Sequence, residues 1–424
     1  MTVSCGFRGA AIAFLASGSI AGSGAAVAAG FQLQEQNASG LGLAYSGMAA
    51  AVQDASTAFW NPAGMSLLPD RQIAGSVNYI MPSTKFSSAG PPPFGSTFDA
   101  FGNGGQGGVS AWVPALYGTW MIAPRWSVGL AINAPFGLST EWDSQWAGMF
   151  YAIKSKIETV NINPTVSFKV NNMLSLGAGV SYQKLKATLT SGVTPLIPSV
   201  QGKVEGDDWS WGWNIGALLD FGQGTRVGLT YRSAISYTVE GNLTFNSPLF
   251  SALNTNVKAD IKLPQTASIG VSHQFNPKFR VLADYTWTGW DSIQNLNIVG
   301  TSGLASGATL ATTPLNFNNS WRIGAGVEYQ VNQPWLLRAG MAYDTTPVQD
   351  QFRDPRLPDA NRTWLAIGAR FQPSAQWWLD FGYTYIWLQN ASSNLTSPFV
   401  PPGNLIGTYK ANINILGVQG SFRF

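Results

Sequence analysis

Apolar and polar residues alternate with a period of two along much of the chain, the mark of strands with one apolar face. At the C-terminus Leu416, Val418, Gly420, Phe422 and Phe424 share one face, and Gly417, Gln419, Ser421 and Arg423 the other. The same period sets Trp209, Trp211, Trp213, Ile215, Leu219 and Phe221 against Ser210, Gly212, Asn214, Gly216 and Asp220. It sets Trp321, Ile323, Ala325, Val327 and Tyr329 against Arg322, Gly324, Gly326 and Glu328, and Trp377, Leu379, Phe381 and Tyr383 against Trp378, Asp380, Gly382 and Thr384. Fourteen such strands are read near 72–81, 111–122, 126–136, 152–170, 173–188, 209–221, 225–246, 258–275, 279–298, 319–330, 335–344, 362–371, 376–390 and 409–424. Their connections alternate. Tight turns such as Asn171-Asn172, Gly222-Gln223-Gly224 and Asn276-Pro277-Lys278 take turns with long segments such as 82–110, 189–208 and 345–361. An even number of strands, short turns at one end and long loops at the other predict an all-β fold. The prediction is a transmembrane 14-stranded antiparallel β-barrel over 72–424, with both termini periplasmic. The final Phe424 fits an outer-membrane assembly signal.

The N-terminus sharpens this picture. Arg8 precedes the apolar run 10–20, and Ala26-Val27-Ala28 is a small-x-small site, so 1–28 reads as a signal peptide cleaved before Ala29. The single cysteine, Cys5, lies in that segment, leaving the mature chain without disulfide or thiolate chemistry. Charged residues make up 11% of the chain and aromatics 12%, a balance unusual for a secreted soluble protein and ordinary for a barrel facing lipid. After Ala29 no run of 18 apolar residues offers a membrane helix. The net charge of +3 is small and scattered, which argues against a nucleic-acid partner. The expected location is the outer membrane of a Gram-negative bacterium.

Residues 29–71 fall outside the strand pattern and are rich in Gly and Ala. A fourteen-stranded barrel has a lumen too wide for its own side chains to fill, so this segment is expected to be an N-terminal hatch plugging it.

Several short motifs stand out. Gly30-Phe31-Gln32-Leu33, Ser39-Gly40-Leu41-Gly42, Ala44-Tyr45-Ser46-Gly47 and Asn61-Pro62-Ala63 lie in the expected hatch. Further along come Trp112-Val113-Pro114, Phe136-Gly137-Leu138-Ser139-Thr140-Glu141, Trp211-Gly212-Trp213-Asn214 and Leu229-Thr230-Tyr231-Arg232-Ser233. Ile261-Lys262-Leu263-Pro264, Tyr343-Asp344, Pro347-Val348 and Leu357-Pro358-Asp359 before Arg362 complete the set. In this order, over nearly the whole mature chain, they resemble the FadL-type long-chain fatty-acid transporters. The resemblance implies a monomeric barrel whose hatch includes Phe31, Asn61, Pro62 and Ala63. It also implies ligand capture by outer loops, passage to an internal pocket, and sideways release through the wall. Its substrates span long-chain fatty acids and aromatic hydrocarbons. The arginine that the fatty-acid members are expected to offer a carboxylate would fall near Ser191, where this chain has none.

The residues themselves suggest where these steps occur. Pro135 cannot donate to a ladder and Gly137 weakens one, so Pro135-Phe136-Gly137 is the expected lateral gate. Trp142, Trp146 and Phe150 form an apolar cluster in an outer loop, as do Leu249, Phe250 and Leu253 in another. Exposed apolar clusters mark binding, so Trp142, Trp146 and Phe150 are the expected capture residues. Inward charges occur in both signs, and pairing with one another or with the hatch is their plainer use. Arg322 and Arg338 are the candidate carboxylate partners. Lys184 and Lys186, at the outer end of a strand, suit lipopolysaccharide phosphates, and outer-membrane lipid is the other expected neighbour. The row Trp209, Trp211 and Trp213 continues a lipid face and reads as girdle. The one histidine, His273, also faces lipid, so no catalytic set and no enzyme are expected. No cofactor or metal site is expected either. The reading is outer-membrane transport of hydrophobic compounds, long-chain fatty acids first and aromatic or alkane hydrocarbons second. A general polar porin is the alternative of another class.

Overall fold

The structure, a computed structural model, describes residues 30–397 and 402–424, so the signal-peptide expectation for 1–28 lies outside the described residues. Twenty hydrogen-bonded segments form one continuous sheet. They make fourteen antiparallel strands, six of them in two pieces. The first five are β1 (Arg71–Ser88), β2 (Ala111–Ala123), β3 (Trp126–Asn133 and Gly137–Glu141), β4 (Lys154–Lys169) and β5 (Leu174–Gly192). Next come β6 (Gln201–Asp220), β7 (Thr225–Arg232 and Ile235–Phe245), β8 (Thr255–Leu263 and Thr266–Asn276) and β9 (Phe279–Thr288 and Asn295–Gly300). The last are β10 (Thr309–Pro314 and Ser320–Asn332), β11 (Trp335–Asp344), β12 (Arg362–Phe371), β13 (Trp377–Leu388 and Ala391–Leu395) and β14 (Leu405–Arg423). β14 pairs with β1 from Gln72↔Arg423 to Ser88↔Gly407, closing the barrel and leaving no edge.

The period-two pattern is what places each residue. Outward positions such as Trp211, Ile215, Ile367, Trp387 and Val418 are exposed, the arrangement a wall needs when its solvent is hydrocarbon. Tight turns close one end, and in Gly222-Gln223-Gly224 all three residues take positive φ (+70°, +48° and +82°), which explains the two glycines.

Residues 30–68 run inside the barrel and are almost wholly buried, with two short helices, α1 (Ala38–Leu41) and α2 (Thr57–Trp60), and a 3-10 turn at Pro62–Leu67. The wall makes room for this segment with inward glycines. A Cβ at Gly340 would fall on the backbone of Leu43, and one at Gly228 on the carbonyl of Ala49. Polar side chains of the wall satisfy its backbone. Asn78 Nδ2 donates to Glu35 O (2.8 Å), Ser167 Oγ to Ala63 O (3.0 Å), Arg232 Nη2 to Phe59 O (2.9 Å) and Thr384 Oγ1 to Leu41 O (3.0 Å). Irregular backbone at membrane depth is tolerated only where such partners exist.

The splits in β7, β8 and β9 depart from the continuous strands read at 225–246, 258–275 and 279–298. Pro264 cannot donate to a ladder, and the segment 289–294 turns inward, burying Trp290 and Ile293.

Candidate functional site

Above the inner segment the lumen changes character. Over most of the barrel the inward positions are small or polar, but in the outer half they are aliphatic. Leu185, Ala187 and Leu189 of β5, Val204 of β6, Val239 of β7, and Ala259 and Ile261 of β8 line a cavity of about 100 Å³. Leu138 of β3, Phe31, Ile293, Phe317 and Leu357 complete its lining. A single water needs roughly 10–15 Å³ by the same measure, so there is space for an apolar chain, and the walls offer water almost no partners. Arg356 reaches this cavity from the loop before β12. Its Nη1 pairs with Asp354, while its Nε is buried with no partner among the described residues. Burial holds the Asp354 carboxyl above its ordinary pKa, against the pull of Arg356. The sequence reading missed Arg356. Its signal was a basic residue beside Leu357-Pro358-Asp359, in a loop whose packing no periodicity predicts.

Beside the cavity, β3 is interrupted at 134–136, where Pro135-Phe136-Gly137 was expected to break it. The inner segment takes up the freed groups. Leu33 N donates to Pro135 O (2.8 Å), Gly137 N to Phe31 O (2.9 Å) and Gln36 Nε2 to Ala134 O (2.9 Å). From the other flank Phe136 N donates to Thr159 Oγ1 (3.0 Å). The β2–β3 ladder ends at Leu116↔Ile132, so 111–115 of β2 pair only with β1. A slot in the wall results, bounded by β2 and the inturned β3. Phe31 sits behind it, with its ring centroid 6.1 Å from that of Phe136 and 4.9 Å from that of Trp290. Asn61, Pro62 and Ala63 lie deeper and away from the slot, where Asn61 Nδ2 donates to Ala217 O (3.1 Å).

Trp142, Trp146 and Phe150 are placed differently from the exposed capture cluster expected of them. All three are buried. The two indoles stack at 4.7 Å, Trp142 Nε1 donates to Pro355 O (3.1 Å), and Phe150 packs on Phe98 at 4.7 Å. Aromatic area this large finds neighbours in a folded loop instead of facing water. Leu249 and Leu253, in the other apolar loop, are exposed.

The two arginines expected to face a carboxylate ligand are already engaged. Arg322 pairs with Asp284 (3.0 Å) and donates to Ala44 O. Arg338 bridges Glu328 (2.8 Å) and Asp380, which also hold Arg280 and Arg370. Both side chains are enclosed, and a lone buried charge would cost several kcal/mol, so these carboxylates balance them in the wall, while Arg322 Nε and Arg338 Nη2 have no hydrogen-bond partner among the described residues. Lys184 and Lys186 pair across the sheet with Asp207 (3.0 Å) and Glu205 (3.2 Å). His273 Nδ1 shares a hydrogen bond with Thr225 Oγ1 (2.7 Å).

The family described as "Outer membrane protein transport protein (OMPP1/FadL/TodX)" matches residues 19–424. The chain is 30% identical to the "47 kDa outer membrane protein" of Pasteurella multocida, over 95% of both chains. It is 28% identical to the "Long-chain fatty acid transport protein" of Salmonella typhi, over 86% of this chain and 89% of that one. Among solved structures, a Pseudomonas aeruginosa FadL homologue superposes with a TM-score of 0.84 at 27% identity, covering 93% of this chain and all of the other.

Proposed function

This chain belongs to the OMPP1/FadL/TodX family of outer membrane transport proteins, and we propose that it carries long-chain fatty acids from the outer surface into the membrane. The observation that carries the reading is the aliphatic cavity with the basic groups of Arg356 and Lys258 at its edge, lying directly against the β3 slot. The tail fills the cavity, and the carboxylate meets the unpartnered Nε–H of Arg356. Release then passes sideways through the slot, between 111–115 of β2 and Pro135-Phe136-Gly137. A sixteen-carbon tail delivered to water would cost about 0.8 kcal/mol per methylene, on the order of 12 kcal/mol in all. Sideways release avoids that cost, because the tail passes from aliphatic side chains to hydrocarbon. Residues 30–68 act as the hatch that keeps the lumen closed to polar solutes meanwhile. The Salmonella relative named for fatty-acid transport supports the substrate class.

Arg356 separates this reading from that of a hydrocarbon channel. Charge-assisted hydrogen bonds contribute roughly 1.5–3 kcal/mol, so Arg356→Leu should raise the half-saturating palmitate concentration about tenfold or more. Toluene uptake by the same variant should change little. If toluene enters readily and palmitate does not, even in the unaltered protein, the hydrocarbon reading replaces this one.

A further inference from the structure

The wall has a second interruption. β8 and β9 pair from Thr266↔Thr288 down to a bulge at their shared turn, then meet again from Lys258↔Val299 outward, through Val257↔Gly300 and the bond from Thr301 N to Asn256 O (2.8 Å). Between those points 259–263 of β8 and 289–298 of β9 share no ladder. The seam is tacked at its lower end alone, by Gly289 N to Gln265 O (2.9 Å) and Ser292 Oγ to Lys262 O (2.8 Å). Both of its edges line the aliphatic cavity, Ala259 and Ile261 on one side, Asn295, Leu296 and Ile298 on the other. The cavity therefore reaches the wall here.

The seam's height fits an outer opening. Tyr285 of β9 and Trp321 of the neighbouring β10, outward-facing aromatics of the girdle type, lie nearer the periplasm. The seam stands beyond them, where water and headgroups satisfy unpaired backbone that hydrocarbon would not. Below it the buried Trp290 packs on Phe31 and Phe317, closing the way down to the β3 slot. On the outer face of β8, Lys258 and Lys262 are exposed, and neither has an acidic partner within salt-bridge distance among the described residues. Asp260 lies between them, held by Thr238 Oγ1 (2.7 Å), and Glu240 stands opposite Lys258; two unpaired ammonium groups beside an aliphatic opening suit a long apolar tail ending in a carboxylate.

We propose that the β8–β9 seam is the intake window, through which a long-chain carboxylate enters tail first while Lys258 and Lys262 hold its head. This rests on the fatty-acid reading above and adds to it a route in, separate from the β3 slot that serves as the route out. The buried positions of Trp142, Trp146 and Phe150 leave intake without another apolar opening at that loop.

The test measures uptake of labelled palmitate by cells whose only such transporter is this full chain. Ala259→Trp fills the window and should lower the initial rate at least fivefold, with the barrel folded as judged by heat-modifiable migration. K258E with K262E should raise the half-saturating palmitate concentration about tenfold and leave toluene uptake unchanged. Folded variants that take up palmitate at the unaltered rate and concentration overturn the window. If Ala259→Trp does not fold, a cysteine at Asn295 decides: palmitate should slow its alkylation at least threefold, and no slowing overturns the proposal. Absence of palmitate uptake by the unaltered protein is a different result, since it removes the fatty-acid reading itself.

Discussion

At the scale of single residues, the lumen contrasts charges that are matched with one that is not. Arg338, Glu328 and Asp380 form a set in which each charge has an opposite partner, so they hold the wall together. Glu35 of the inner segment is the opposite case. It is fully enclosed, and neither carboxylate oxygen has a hydrogen-bond partner among the described residues. Burial pushes its pKa from 4.5 up to about 7, with its own backbone N–H and then Arg362 pulling the other way. The raised value fixes the sign of the pH dependence. The folded seat binds the proton more tightly than the open one, so its stability is complete below about pH 4.5 and declines as pH rises towards 7. Above that the ionised carboxylate costs about 3 kcal/mol. Glu35→Gln removes the cost, so hydrogen exchange of the 30–50 backbone should be slower in this variant than in the unaltered protein at pH 8, and alike at pH 4. Equal exchange at pH 8 would show that Glu35 is paired or hydrated in the membrane.

At the scale of elements, the informative features are the places where strands fail. Alternation, girdle tryptophans and tight turns were legible in the sequence because each strand must present one face to lipid, and that demand repeats along the chain. The break in β3 was legible for a local reason, since a proline without an N–H cannot complete a ladder. The breaks in β7 and β9 were not. In β7 the apolar series Val227, Leu229, Tyr231, Ile235, Tyr237 and Val239 runs straight through the break, and in β9 the inward turn of Trp290, set by its fit against Phe31, is a long-range contact that marks where pairing stops. Site residues divide the same way. The slot could be read from Pro135, whereas burial of Trp142 and engagement of Arg322 depend on partners far away in sequence. The β3 break carries its own prediction. Pro135→Val with Gly137→Thr restores the donor and favours pairing, so 134–136 should join β2 and shut the slot. Palmitate would still bind and copurify, but its uptake should fall about tenfold if the exit barrier rises by roughly 1.4 kcal/mol. Normal uptake by a variant with a continuous β3 would route release elsewhere, past the hatch.

At the scale of the whole molecule, a wide barrel and a 39-residue inner segment solve one problem together. Fourteen strands enclose more space than their side chains fill, and the segment 30–68 carries backbone that hydrocarbon would not satisfy. Each supplies what the other lacks, the wall giving hydrogen bonds and the segment giving volume. The inward glycines are the signature of that contact, because Gly216, Gly340 and Gly368 meet Asn61, Leu43 and Gly42 where any side chain would collide. If the segment is a closed hatch, planar-bilayer recordings of the full chain should show little conductance. Deleting 31–68 should leave a barrel that still inserts, since β1–β14 close without it, and should produce large, long-lived open steps. A point change should do the same in part. Gly340→Val sets a branched side chain against the Leu43 backbone, so the segment must shift, and brief openings should appear while heat-modifiable folding is kept. A deletion variant as tight as the full chain would mean that the strands or outer loops seal the lumen, and that residues 30–68 serve only as packing.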